Sequence, residues 1–407
     1  MRVAVIGQGY VGLTLAAGAF EAGHIVRGID KNHDLVKRLN RGLSHIEGIS
    51  NNSIEDALDK SNYKATTDFG EIKGFEIVVI AVPTPLDSHG NPDITMLEEA
   101  CDSLAPFVNS STLIINESTS FVGTLRNVIS PRIKKANESA SMFAVSPERV
   151  DPGNTLFDLE NTPRLVGGLS SHATQLAREF YSTFCKEVVE VSSPEVAEAA
   201  KLLENSFRYV NIGFINEFTQ LMNSLKIPAT EVINAAATKP YGFMKFTPNV
   251  GIGGHCIPVD PHYLQKNAQE VGRENRYIAL SEKINEEMAS YFVNRLEEFY
   301  GRVYEKSILV IGVSYKPNVA DTRETPAERL IIELKSRGAF VFWHDPLVSE
   351  FMNSASSSVS GDYDIGLVLV SHEKLDFKSW NGNPIYCVNE IPTQPDWIPV
   401  LGAGSEK

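Results

Sequence analysis

Cysteine is scarce in this chain, with four in 407 residues (Cys101, Cys185, Cys256 and Cys387) and no CxxC pair or other metal-ligand spacing. That excludes a disulfide-stapled scaffold and a zinc ribbon, and it predicts a reducing, cytoplasmic setting with no bound metal. Long apolar runs are lacking too. The first, Val3 to Ile6, breaks at Gly7 and is too short for a leader or a membrane span, so no membrane partner is expected. Basic residues do not predominate: 37 Lys and Arg face 51 Asp and Glu, a net charge of −14 that excludes the usual basic footprint of a nucleic-acid binder. Biased sequence is confined to the short "NSASSSVSG" at 353–361, a surface loop. What remains is an ordinary globular composition, 43% hydrophobic and 22% charged, in a chain long enough for two or three domains.

Glycine is placed with order. "RVAVIGQGYVGLTLAAGAFEAGHIVRGID" holds an apolar run, then Gly7, Gly9 and Gly12, then a helix-forming stretch, then a second apolar run ending at Asp30. In this strand–GxGxxG–helix–strand–acid order, Gly7 permits a tight turn, Gly9 admits a pyrophosphate and Gly12 allows close helix packing. The helix start, with Tyr10 and Val11, offers amide donors and positive dipole to phosphates, and Asp30 would accept from ribose hydroxyls, favouring NAD over NADP. Further strands are expected at 75–85, 112–119 and 142–154. Their carboxyl ends set Pro83, Thr84, Glu117, Ser118 and Thr119 near the cofactor, or else as turn and cap residues. Glu148 sits where a general base could sit, although a loop Glu is often merely solvated.

From Pro194 to about Leu225 one long helix is predicted, with Ser193 as its cap. Lys201, Asn205 and Arg208 fall at i, i+4 and i+7, so they share a face. That face is either a solvated polar stripe or, with a buried Lys beside an amide, a partner for an oxyanion. Apolar residues on more than one side of the helix point to a dimer or higher homo-oligomer. "NVGIGGHCIPVDPHYL" (249–264) is too rich in Gly and Pro for a plain helix or strand. Its Cys256 is a nucleophile active as thiolate or a small packed hydrophobe; for Cys101 and Cys185 the packing role is expected. Residues 306–346 repeat strand–loop–helix–strand without GxGxxG; the loop holds Lys316, Asp321 and Arg323, a phosphate site of another kind. One more strand and crossover is expected at 364–376.

The motifs "GQGYVGL", "AVPTP", "NESTSFVGT", "SPERVDPGN", "KLLENSFRYVNIGFINE", "GGHCIPVDP" and "YKPNVADTRETP", in that order, make nearly the whole chain resemble the nucleotide-sugar 6-dehydrogenases, the relatives of UDP-glucose dehydrogenase. The resemblance implies an α/β fold: two Rossmann-like doubly wound domains joined by a long central helix. It divides as an NAD domain over 1–192, a central helical domain with the cysteine loop over 193–300, and a UDP-sugar domain over 301–407. It also implies four-electron oxidation of a sugar C6 alcohol to a carboxylate with NAD. Lys201 and Asn205 would stabilise the oxyanion, Cys256 would hold the aldehyde as thiohemiacetal and then thioester, and Glu148 would activate a water positioned by Thr119 and Asp260. Arg149, Val150, Arg208 and Gly253 would join Glu148, Lys201, Asn205 and Lys316 at the substrate, and Arg323 would meet the cofactor. His255 before the cysteine and Val259 before Asp260 resemble the subgroup acting on UDP-GlcNAc or UDP-ManNAc, which feeds surface polysaccharide synthesis. The alternatives are UDP-glucose or another nucleotide sugar, a two-electron hydroxyacid dehydrogenase, and a non-catalytic binding protein. Departures from the pattern are Asn249 for a usual Gly, Phe121 for a frequent Pro, a poorly matching "KPYGFMKF" (239–246) and a short segment between Asp345 and Asp364.

Overall fold

The computed structural model describes residues 1–407 except 47, 141, 151–156, 390, 392, 395 and 403–407, so the end of the "SPERVDPGN" motif lies outside the described residues. The chain forms two compact units. One comprises Met1–Glu204 with His262–Arg273, the other Asn205–Pro261 with Glu274–Lys407.

The first unit holds eight strands: β1 (Arg2–Ile6), β2 (Ile25–Ile29), β3 (Tyr63–Thr66), β4 (Ile77–Ile80), β5 (Leu113–Asn116), β6 (Met142–Val145), β7 (Arg164–Gly168) and β8 (Val188–Glu190). Their order is β3-β2-β1-β4-β5-β6-β7-β8. The first six pair in parallel, while β7 runs antiparallel to β6. Order 3-2-1-4-5-6 is that of a dinucleotide fold, with its switch point between β1 and β4. Both sheet faces are covered. Val3 and Val5 of β1 enter one core with Leu13, Leu15 and Phe20, whereas Ala4 and Ile6 enter another with Val78, Ile80 and Leu97. Buried on both sides, these strands are continuous apolar runs rather than alternating ones, which is why they stood out in the sequence.

The second unit continues with β9 (Ser307–Ile311), β10 (Phe340–His344), a hairpin of β11 (Glu350–Phe351) and β12 (Ser354–Ala355), then β13 (Ile365–Val368), β14 (Ile385–Cys387) and β15 (Ile398–Pro399). Its sheet is parallel, in the order β10-β9-β13-β14-β15. The hairpin occupies the short segment between Asp345 and Asp364, where the described residues contain no helix. The fold class expected from the motifs is the one observed, including one continuous central helix over Pro194–Ser224. The stretch 249–264 is not irregular throughout: the chain turns helical at Asp260 and stays so to Glu270.

Candidate active site

At the end of β1, Gly7 takes a φ of +88°, and its amide donates to the Ile29 carbonyl of the neighbouring strand (2.8 Å). A Cβ on Gly12 would lie 1.8 Å from the Gly7 carbonyl oxygen, so the helix Tyr10–Glu21 can pack this close only with glycine there. Around Gly9 the space is open to 4 Å, and no side chain caps the helix that follows. Open room at an uncapped helix start fits a pyrophosphate. Asp30 lies half-buried just after β2 and orients the turn by accepting from the Gln8 amide (2.8 Å) and the Asn32 amide (2.9 Å). The glycine turn, with Tyr10, Val11 and Asp30, thus fits NAD.

Across the switch point, Ser118 Oγ accepts from the Val82 amide (2.9 Å) and donates to the Val82 carbonyl (2.8 Å). The loop carrying exposed Pro83 and buried Thr84 is thereby tied to the loop after β5. Phe121, where a Pro is frequent, packs its ring on Tyr263 (4.8 Å), and the Tyr263 hydroxyl donates to the Thr84 carbonyl (3.2 Å). Glu198, one turn before Lys201, clamps the other end of this loop by accepting from the amides of Gly123 (2.5 Å) and Leu125 (3.0 Å). Burial pushes its carboxyl up to about 7 against those two amides. A small cleft in the first unit is lined by Ser118, Thr119, Pro147, Glu198 and Lys201.

Lys201 is half-buried, and its ammonium donates to the Glu148 carbonyl (2.6 Å). The Glu148 carboxylate folds back on its own backbone, accepting from the amides of Arg149 (2.7 Å) and Val150 (2.6 Å). Burial alone would raise its pKa, but Arg164, those amides and Lys201 together hold it below the ordinary carboxylate value. Glu148 therefore stays ionised at neutral pH, able to accept a proton. Arg149 is turned aside to Glu204 (2.7 Å) and the Pro163 carbonyl (2.6 Å). Arg164, Tyr181 and Glu198 carried no signal in the sequence beyond a charged residue opening an apolar strand at Arg164.

In the second unit Cys256 is exposed, whereas Cys101, Cys185 and Cys387 are buried. Burial pushes the Cys101 thiol up to about 12 and the Cys185 thiol up to about 11. The Cys256 carbonyl accepts from the amides of Val259 (3.2 Å) and Asp260 (2.9 Å), forming the turn that starts the next helix. The buried Asp260 carboxylate accepts from Asn205 Nδ2 (2.5 Å), so this part of the helix stripe is an internal hydrogen bond and not a solvated face; Arg208 is exposed. A Cβ on Gly253 would lie 2.8 Å from both Tyr315 Cβ and Pro326 Cδ, and the Gly254 amide donates to the Arg323 carbonyl (3.1 Å). The glycines thus make room for the 315–326 loop to close on the cysteine loop. Asn249 needs no left-handed backbone; positive φ falls at Gly254 (+95°), while Asn249 donates its amide to Asn216 Oδ1 (2.9 Å). Arg323 is held by Asp321, with Nη2 to Oδ2 at 2.6 Å, and its charge is felt at Cys256; Lys316 is half-buried.

The second sheet repeats the glycine turn at its own switch point, with Gly312 at φ +78°. Its acid is used differently. Asp345, buried at the end of β10, accepts from the amides of Val313 (2.9 Å) and Ser314 (3.1 Å) and is paired with buried His372 (3.0 Å). Against the upward push of burial, His372 and the amides bring it down to about 2.

An acid left beside an open glycine turn in one sheet, and an acid consumed internally in the other, mark a nicotinamide-dependent oxidoreductase with a second nucleotide-type fold. The chain belongs to the UDP-glucose/GDP-mannose dehydrogenase family, a group of NAD-dependent nucleotide-sugar dehydrogenases. Residues 1–185 match that family's NAD binding domain, 195–287 its central domain and 309–384 its UDP binding domain. The chain is 32% identical over 393 residues to the UDP-N-acetyl-D-mannosamine dehydrogenase of Pyrococcus horikoshii, covering 95% of this chain and 92% of that protein. It is 30% identical to a UDP-N-acetyl-D-glucosamine 6-dehydrogenase of Pseudomonas aeruginosa, over 95% of this chain and 93% of that one. The solved UDP-D-ManNAc dehydrogenase structure from Pyrococcus horikoshii superposes with a TM-score of 0.88 at 29% identity, over 100% of both chains.

Proposed function

We propose that this enzyme oxidises the C6 alcohol of a UDP-N-acetylhexosamine, UDP-GlcNAc or UDP-ManNAc, to the uronic acid through a covalent Cys256 adduct, supplying a surface-polysaccharide precursor. The observation that carries this reading is the single exposed thiol among four cysteines, set on a loop shaped by glycine and bonded to the backbone of Arg323 through the Gly254 amide. His255 and Val259, with relatives named for N-acetylated sugars, favour that substrate over UDP-glucose.

NAD, when bound, would accept one hydride, and two NAD molecules in succession would take up the two hydrides released between alcohol and carboxylate. Lys201, with Asn205, stabilises the negative charge that builds on the sugar oxygen. The Cys256 thiolate adds to the aldehyde carbon, giving a thiohemiacetal that retains the intermediate and then a thioester. Thr119 and Asp260 position the water that attacks the thioester carbonyl. Glu148, held ionised, takes a proton from that water, and the C–S bond breaks to return the thiolate and release the carboxylate. Arg149, Val150, Arg208, Gly253 and Lys316 border the sugar nucleotide in this reading, and Arg323 borders the cofactor. NADH formed per sugar consumed, over a panel of UDP-GlcNAc, UDP-ManNAc and UDP-glucose, is expected to be two, with a uronic acid product; a ratio of one rules out the thioester route.

The four cysteines, none of them in a disulfide, suit a reducing cytoplasm. Among the described residues no helix is long and apolar enough to cross a membrane. Phe207, Phe214 and Leu221 recur at sevens along the central helix and are all exposed, an apolar stripe suited to a second copy of the chain. Light scattering should give at least a dimer mass, and Phe214→Glu should lower it. A wild-type monomer at working concentration would count against the stripe as an interface.

A further inference from the structure

Strands β6 and β7 pair antiparallel, Ala144 opposite Gly168 and Val145 opposite Gly167. Continued three residues further, that register sets Arg164 opposite Glu148. Because β7, with β8 parallel to it, runs opposite to the six parallel strands, its first residue lies at their carboxyl edge, where Glu117 also emerges from β5. Arg164 is buried and sits over the Tyr181 ring, 4.7 Å from its centroid. Its Nε donates to Ser146 Oγ (3.0 Å), Nη1 donates to Glu148 Oε2 (3.1 Å) and Nη2 pairs with Glu117 Oε1. Glu117 is fully enclosed and accepts from the Tyr181 hydroxyl; among the described residues no donor reaches its Oε2.

We propose that Arg164 and Glu117 are positioning residues for Glu148: one buried guanidinium is divided between two carboxylates, so the charge on Glu117 decides how strongly Glu148 attracts a proton. This rests on the role given to Glu148 above. With Glu117 ionised, its negative charge cancels much of Arg164, and Glu148 is the better base. With Glu117 neutral, Arg164 belongs to Glu148 alone and makes it a weaker one. No proton crosses Arg164, whose guanidinium stays charged, so the coupling is purely electrostatic. Burial pushes Glu117 up to about 7 against the pull of Arg164, placing its titration near neutrality. The other groups facing the pair are Tyr181 from the helix Ser171–Tyr181, Lys201 from the central helix, and Cys185, which itself faces Glu160 and whose thiol burial keeps neutral.

The test is the pH dependence of thioester hydrolysis, read by rapid quench and intact mass as loss of the acyl group from Cys256. Glu117 is already neutral where Glu148 titrates, so the wild-type rate should rise severalfold in a second step near pH 7 as Glu117 ionises. Glu117→Gln should abolish that step and keep the lower plateau throughout, with unchanged KM for sugar nucleotide and NAD. Tyr181→Phe, which removes only the hydroxyl that holds Glu117 down, should move the step to higher pH, and it serves alone if Glu117→Gln does not fold. A merely structural cluster would show no such step for the variants to move. If the wild type lacks the step, or the variants keep it at the wild-type pH, while Glu148→Gln no longer hydrolyses the adduct, the coupling is wrong and the role of Glu148 stands. If Glu148→Gln hydrolyses the adduct at the wild-type rate, or the wild type forms no adduct, the role of Glu148 fails and the coupling with it.

Discussion

Cys256→Ser is expected to lower kcat for conversion to the carboxylate by about three orders of magnitude or more. A serine hydroxyl is far less ionised than a thiol at neutral pH and would need a base to attack the aldehyde. No other cysteine can take over: Cys101, Cys185 and Cys387 are buried, and the first two have thiols pushed well up by that burial. The variant should melt close to the wild type, because an exposed loop side chain contributes little packing. Intact mass during turnover should show an acyl adduct in the wild type and none in the variant. Wild-type turnover by Cys256→Ser would reduce this residue to loop packing.

Lys201→Met should cost about 10²- to 10³-fold in kcat, with a smaller effect on KM for the sugar nucleotide. Negative charge builds on the C6 oxygen as its hydroxyl proton leaves ahead of the hydride, and again when a nucleophile adds to the carbonyl carbon, and an ammonium in a cleft with Thr119 is placed to meet it. Its 2.6 Å bond to the Glu148 carbonyl fixes the ammonium before substrate arrives, so little reorganisation is needed as charge develops. Methionine keeps the length of the stem and loses the charge. Steady-state kinetics with the preferred UDP-sugar decide it: a kcat within about threefold of wild type would remove Lys201 from the chemistry.

Much of the fold was legible because its cues are local. Gly12 must lie against the Gly7 carbonyl, so the fingerprint is written in the backbone itself. The parallel strands are short and wholly apolar because both of their faces are covered. Cys256 stood out as one cysteine inside a dense glycine loop. The carboxylate cluster was not legible, because Glu117, Glu148 and Arg164 are far apart in sequence and meet only through the order and direction of β5, β6 and β7. The Asn205–Asp260 bond was hidden for the same reason: helical spacing gives a face but not what covers it. The loop glycines were attributed in part to the sugar; at Gly253 the demand comes from Tyr315 and Pro326.

The internal pairing of Asp345 with His372 bears on ligand sorting. A reaction between two nucleotides in a protein with two similar folds invites docking in the wrong half, since both ligands offer a ribose and a diphosphate. Both acids accept from backbone amides, but Asp30 stays half-buried beside an open turn, whereas Asp345 is buried and bonded to an imidazole as well. An adenine dinucleotide entering the second half would find Asp345 already engaged by His372 and backbone amides. The acid after the second strand thus marks one half, and not the other, as a seat for a ribose diol.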